Sequence, residues 1–256
     1  MAFQLEDINF KTVADPKGFI EEGDQAYKDR VAKAADKIIS NRDKSPIVLL
    51  SGPSGSSKTT TSMKIAEELN RRGIGTHYIG MDDYFKTIDD NSPRTPEGDL
   101  DLESPLCLDM ELMNRHFDML SKGERIYVPK YEFARRMRSL TPSKSIQLKK
   151  DEVVIVEGIH ALNPELTGLV PDDQIYRIYA GLREEYCIDG RRVINTQDIR
   201  LCRRTLRDAA ARGRSPAKTL SMWDRVLDGE TRYIKGFKTT AVSYTHLRAH
   251  ETDSYL

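Results

Sequence analysis

Short apolar runs, spaced by stretches of helical periodicity, set the frame of this chain. Ile47–Leu50, directly after Pro46, and Val153–Val156 are each long enough for a buried strand and too short for a helix. Thr76–Met81 and Gln174–Tyr179 are further strand candidates. Between them the pattern turns helical. From Thr60, residues Met63, Ala66 and Leu69 recur at three-residue spacing, and Gly73 stands where a helix would stop. Asp109 caps a predicted helix through about Lys122, with Gly123 as its stop. Thr196 caps another to about Ala211, and Leu220, Trp223 and Leu227 mark one more. Before the first strand, Phe19, Ile20, Tyr27, Val31, Ala34, Ala35 and Ile38 make an amphipathic helix within Pro16–Asn41. Residues 1–15 are weakly patterned and read as an extension. Residues 86–105 are rich in Asp, Asn, Pro and Gly, and read as a long loop of the kind that is often functional.

The chain has 256 residues and 29.2 kDa, enough for one α/β domain with extensions. Forty acidic residues balance forty basic ones, so no overall field points to nucleic acid or to an anionic membrane. The balance hides a cluster. Between Arg183 and Arg214 there are nine arginines, no lysine and five acids. Cys107, Cys187 and Cys202 lack metal-ligand spacing and are odd in number, as expected for reduced thiols. No apolar run approaches a membrane span, and MAFQLEDINF lacks the regions of a signal peptide. The expectation is a soluble cytoplasmic protein, with a homo-oligomer left open.

The chemistry begins after Leu50. Gly52-Pro-Ser54-Gly55-Ser56-Ser57-Lys58-Thr59-Thr60 joins the first buried strand to a helix, the context that makes a phosphate-loop pattern credible. Backbone N–H groups and the helix dipole favour a β-phosphate there. Lys58 reaches the β- and γ-phosphates of ATP, and the Thr59 hydroxyl is a ligand for Mg²⁺. The usual glycine before the lysine is replaced by Ser57, so either Gly55 supplies the flexibility or the loop is reshaped. Asp82 and Asp83 follow the Thr76–Met81 strand at the end that faces the ligand crevice of an open sheet. A carboxylate there is placed to accept a hydroxyl proton. Glu157 ends the Val153–Val156 run as the acid of a Walker B element does, holding Mg²⁺. On the 196–211 helix, Arg204 and Arg207, and Arg203 and Arg207, share a face, and Arg212 and Arg214 flank Gly213. Planar guanidinium forks suit a triphosphate. Ile126–Arg138, aromatic and basic in strand-like pieces, either holds a flat ring or a phosphate, or forms a two-stranded flap. His77, His116 and His160 show no ligand spacing and read as structural.

Taken together, GPSGSSKTT, MDDYF, DLESPLCLD, VPKYEF, VVIVEGI and RLCRRTLRDAAARGR resemble, in order, the motifs of the uridine kinase and phosphoribulokinase family, within it the bacterial uridine kinase-like nucleoside kinases. The resemblance spans about Lys44 to Gly236. It implies a doubly wound, mostly parallel α/β fold of the P-loop kinase type with an arginine-rich lid. It implies transfer of the γ-phosphate of ATP to a nucleoside, uridine or cytidine, with Asp82 as catalytic base. Glu103 takes the place of the ribose-binding acid and Tyr131 that of an aromatic lining the base pocket. Arg207 and Arg212 match lid arginines that face the triphosphate, and Arg204 and Arg214 match two that lean towards the nucleoside. Two positions depart: Leu102 stands where a phenylalanine is common, and Arg136 where a base-reading histidine is common. The rivals are a kinase of another small alcohol, phosphoribulokinase-like, and a regulatory nucleotide-binding module.

The expected organisation is an N-terminal extension with its helix (1–43), a kinase domain (44–241) and a non-native or disordered tail (242–256). Ala241–Leu256 has no apolar periodicity, and SYTHLRAHET resembles translated sequencing-adapter DNA. The final core strand is therefore expected to be missing. Resequencing past codon 241 checks this: an unbroken frame that still encodes SYTHLRAHET overturns the adapter origin.

Overall fold

The computed structural model describes residues 2–182 and 185–247; residues 1, 183–184 and 248–256 lie outside them. The expected extension is structured from its first residues. Ala2–Gln4 form a strand (β1) that pairs in parallel with residues 185–187, and Leu5–Ala14 form a helix (α1). The segment lacks apolar periodicity because its order comes from a backbone ladder, which composition does not encode. Pro16–Asn41 (α2) starts with proline in its first turn, and the Asp15 carboxylate accepts from Gly18 N at 2.9 Å. Val31, Ala34, Ala35 and Ile38 form its buried face.

Ile47–Ser51 (β2) leads through the glycine loop into Lys58–Arg71 (α3), and Thr76–Gly80 (β3) ends in a 3-10 turn, Met81–Tyr84. After the long loop comes Met110–Ser121 (α4), capped by Asp109, whose carboxylate accepts from Leu112 N at 3.1 Å. Ile126–Val128 (β4), Tyr131–Glu132 (β5), Met137–Arg138 (β6) and Lys144–Ile146 (β7) make two antiparallel ladders, β4 with β7 and β5 with β6. Val153–Glu157 (β8) and Ile175–Leu182 (β9) follow. Next is a hairpin that periodicity did not reveal, Glu185–Ile188 (β10) and Arg191–Ile194 (β11). Thr196–Arg212 (α5) is capped by Asn195 rather than Thr196, in a reciprocal capping box with Asp198. Pro216–Ser221 (α6), Trp223–Tyr233 (α7) and Ser243–Leu247 (β12) complete the described chain.

The fold is the expected doubly wound α/β type. Among the described residues its main sheet is ordered β12–β9–β2–β8–β3, every pair parallel. Strand β2 sits in the middle and serves two cores. Ile47 and Leu49 pack with Ile79, Val154, Val156 and Phe117; Val48 and Leu50 pack with Ala35, Ile38, Ile65, Leu69 and Ile178. Burial on both faces is why the strands read as unbroken apolar runs. Truncating Leu50, fully buried, to alanine costs roughly 2–5 kcal/mol.

Part of the expected tail pairs with the sheet edge. The backbone of Ser243–Leu247 runs parallel to β9, Ser243 opposite Ile178 and Leu247 opposite Leu182. Val242 N donates to Arg177 O at 3.1 Å, bringing the chain alongside. A ladder draws on backbone groups that almost any sequence carries, so lack of apolar periodicity did not preclude it.

Candidate active site

The phosphate loop leaves β2 at the C-terminal end of the sheet, between β8 and β9, where open α/β sheets hold ligands. Gly52 cannot be replaced: a Cβ there would lie 1.9 Å from Ala180 O on β9. At Gly55 (φ +77°) a Cβ would lie 2.8 Å from Arg200 O. Ser57 also takes a left-handed backbone, at φ +54°, which for a residue with a Cβ costs roughly 1–2 kcal/mol. Gly55 therefore does not stand in for the missing glycine; both positions bend. The Ser57 side chain does not cap α3, so it leaves the first-turn amides of the helix facing an anion's side of the loop. The fully buried Ser56 hydroxyl has no partner among the described residues. A cradle of backbone approaches with an orphaned hydroxyl fits a nucleotide phosphate.

At the mouth of the cradle, Lys58 Nζ donates to Pro53 O at 3.3 Å and lies 3.9 Å from Glu157 Oε1. Glu157, at the end of β8, accepts from the Thr59 hydroxyl at 3.0 Å and from the Tyr78 hydroxyl at 3.2 Å. Burial pulls the Lys58 ammonium down, opposed by Glu157 and Asp82. Burial pushes the Glu157 carboxyl up, against Lys58 and with help from Asp82. Thr59 and Glu157 are hard oxygen donors side by side, the type Mg²⁺ takes. Among the described residues no group of three or more His, Cys, Asp and Glu could hold a metal by itself. Mg²⁺ here would share its shell with water and phosphate oxygens.

On the acceptor side, the two aspartates part company. Asp82 is exposed and lies in the fields of Lys58, Glu157, Glu103 and Arg212. Asp83 turns towards the Tyr131 backbone, Lys144 and Lys130, and burial pushes its carboxyl up. The pair occupies a 3-10 turn, so this divergence comes from the turn and not from strand alternation. Burial also raises Glu103, against Arg204 and Lys58. Tyr131 is buried and packs against Phe85 (centroids 5.4 Å apart) and Phe133 (5.0 Å). Arg136 is exposed at the tip of the β5–β6 hairpin with φ +53°, its carbonyl accepting from Ile88 N at 3.2 Å. Leu102 is exposed on the facing loop. The strip at 126–138 is thus a flap in its backbone and an aromatic wall in its side chains.

The arginines converge on one acid. Asp208 is fully buried and receives Arg207 (2.8 Å), Arg214 (3.0 Å), Arg204 (3.6 Å) and Arg212 (3.7 Å). Burial pushes its carboxyl up, but the arginines outweigh that and hold it low. It is not the solvated counter-charge that its place among arginines suggests in sequence. Arg204 Nη1 donates to Ser54 Oγ at 2.6 Å, so it touches the phosphate loop as well as lying in the field of Glu103. Arg203 hydrogen-bonds the Ser57 hydroxyl. Sequence reasoning missed Arg200, whose Nε donates to Ser54 O at 2.9 Å; the count of arginines in this helix was the signal available.

Two expected structural histidines have partners: His77 faces Glu152 at 3.1 Å and His116 faces the Tyr84 hydroxyl at 2.8 Å. His160 is buried against the backbone of Glu103 and Tyr233, and burial, outweighing those contacts, pulls it down to about 4. A folded-state value below the unfolded one near 6.5 means that protons favour unfolding. Its contribution is intact above about pH 6.5 and is lost as pH falls towards 4, by roughly 3 kcal/mol in all. Urea midpoints measured against pH should show this slope in the wild type and a shallower one in His160→Leu. Equal slopes would remove His160 as the cause.

Fold and site define a P-loop phosphotransferase with an alcohol acceptor. The profile of the phosphoribulokinase/uridine kinase family matches residues 47–179, and the chain belongs to that family. Uridine kinase of Macrococcus caseolyticus is 30% identical over 70% of this chain and 77% of its own length. Uridine kinase of Limosilactobacillus reuteri is 29% identical over 68% and 70%. The match to uridine kinase of Halobacterium salinarum, 27% identical, covers 64% of this chain and 63% of that protein. Among solved structures, a Silicibacter sp. TM1040 protein provisionally assigned as a fructose transport system kinase superposes with a TM-score of 0.59 at 20% identity. It covers 84% of this chain and 98% of its own. That likeness is one of fold.

Proposed function

We propose that the protein transfers the γ-phosphate of ATP to the 5′-hydroxyl of a nucleoside, uridine or cytidine, in the cytoplasm. The observation that carries the reading is the convergence of Asp82, Glu103 and Lys58 in one another's fields beside the open phosphate loop. In this reading Glu103 binds the ribose and Tyr131 and Arg136 border the base. Asp82 accepts the 5′-hydroxyl proton as that oxygen bonds to the γ-phosphorus, the bond to the β,γ-bridging oxygen breaks, and ADP leaves. Lys58, Arg207 and Arg212 offset charge on the transferring group, with Arg204 and Arg214 at its acceptor side. Thr59 and Glu157 would hold Mg²⁺, which would supply charge neutralisation at the phosphates. Among the described residues no helix is long and apolar enough to cross a membrane.

Acceptor-dependent release of ADP from ATP and Mg²⁺, over a panel of nucleosides and sugar alcohols, tests the reading. Release with none of them favours a regulatory module, and release with a sugar alcohol alone favours the other kinase. Base selectivity is expected to be loose. Leu102 and Arg136 are both exposed, and a site rejects a wrong base strongly only when the mismatch strands buried polar groups. A kcat/KM preference of several orders of magnitude for uridine over inosine and guanosine would overturn this.

A further inference from the structure

Helix α7 lies outside the segment matched by the family profile, yet it touches both halves of the site. Its residues meet them along two adjoining faces that merge at Val226, Gly229, Glu230 and Tyr233, which follow one another at three- and four-residue spacing. Trp223, Val226 and Glu230 recur at three and four residues and are buried. Glu230 grips Arg200 through both carboxylate oxygens, at 3.1 and 2.5 Å, with each side chain at most 5% exposed. The Arg200 guanidinium also lies 5.6 Å from the centre of the Trp223 ring. The same arginine donates to Ser54 O, and its own carbonyl packs where a Gly55 Cβ would be. This face therefore holds the phosphate loop.

Arg225, Gly229 and Tyr233 recur at four residues and meet the acceptor loop. Arg225 pairs with Asp99 at 2.6 Å, an exposed contact that contributes little. At Gly229 a Cβ would lie 2.5 Å from Glu103 Cβ, so the helix backbone presses directly on the acceptor carboxylate's residue. The Tyr233 hydroxyl donates to Asp101 Oδ2 at 3.1 Å, while Asp101 Oδ1 accepts from Glu103 N at 3.2 Å. Loop 99–103 is thereby fixed to a face of the helix that adjoins the one fixed to the donor site.

We propose that α7 is the tie that sets the distance between the two substrates, with Gly229, Glu230, Tyr233 and Arg200 as positioning residues. It rests on the reading of residues 52–60 as donor site and Glu103 as acceptor site. Helical geometry makes the tie stiff: a shift of Ser54 passes through Arg200 and Glu230 into α7 and out to Asp101 and Glu103. ATP binding therefore orders the acceptor loop before any acceptor arrives.

Amide hydrogen exchange with ATP and Mg²⁺ alone tests this. In the wild type, ATP should slow exchange at residues 99–104 by about 5-fold or more, the lower range for coupled sites. Glu230→Gln should still bind ATP, more weakly, and lose the slowing. Tyr233→Phe, which removes one hydroxyl and keeps the packing, should bind ATP normally, lose most of the slowing and raise the acceptor KM with ATP KM unchanged. No response at 99–104 in the wild type, or the same response in Tyr233→Phe, overturns the tie. Because the exchange arm needs no acceptor, failure to find a nucleoside substrate would sink the kinase reading without deciding this one.

Discussion

Replacing Asp82 by Asn should lower kcat by about 10²–10⁴-fold, the usual contribution of general-base catalysis, and change ATP affinity little. Asparagine keeps the size and hydrogen bonding of the side chain and removes the proton acceptor. The neighbouring Asp83→Asn should be far milder. Asp82 opens towards Lys58, Glu157, Glu103 and Arg212, whereas Asp83 faces the flap through the Tyr131 backbone and Lys144. Steady-state kinetics of both variants, with ATP binding measured separately, distinguish them. If Asp83→Asn is the dead variant and Asp82→Asn keeps most of its kcat, the base is misassigned.

Lys58→Ala should abolish turnover while leaving the fold intact. The loss of one electrostatic donor aimed at transferring charge typically costs about 2.7–4 kcal/mol, or 10²–10³ in rate. Stability should suffer less than turnover, because among the described residues the ammonium donates to Pro53 O at 3.3 Å and approaches Glu157 to no less than 3.9 Å. Thermal unfolding close to wild type, together with lost acceptor-dependent ADP release, is the expected pair of results. Near-wild-type turnover at saturating ATP would contradict the role given to this loop.

Much of the frame was legible because burial writes itself into the residues concerned. Val153–Val156 and Ile47–Leu50 are apolar throughout since both faces of each strand are covered. The cap of α4 and the stop at Gly123 (φ +71°) were readable for a similar local reason: each involves a few consecutive residues. By contrast, β1 and β12 depend on ladders to distant partners and carry little local signal. The hairpin of β10 and β11 lacked one too, with every residue of β11 exposed.

The site divides along the same line. Residue types at short spacing determined the phosphate loop, the Asp82-Asp83 pair, Glu157 at its strand end and the arginine-rich helix, because each is built within one turn or strand. Tertiary structure alone decided how they are used. It buried Asp208 beneath four arginines, turned Asp82 and Asp83 apart, and gave Ser57 the bend expected of glycine. It also brought Glu230 to Arg200 and Gly229 to Glu103, across 30 and 126 residues of chain. A sequence states which groups are present; whether a carboxylate is solvated, paired or catalytic depends on the dielectric and charges around it, and folding supplies both.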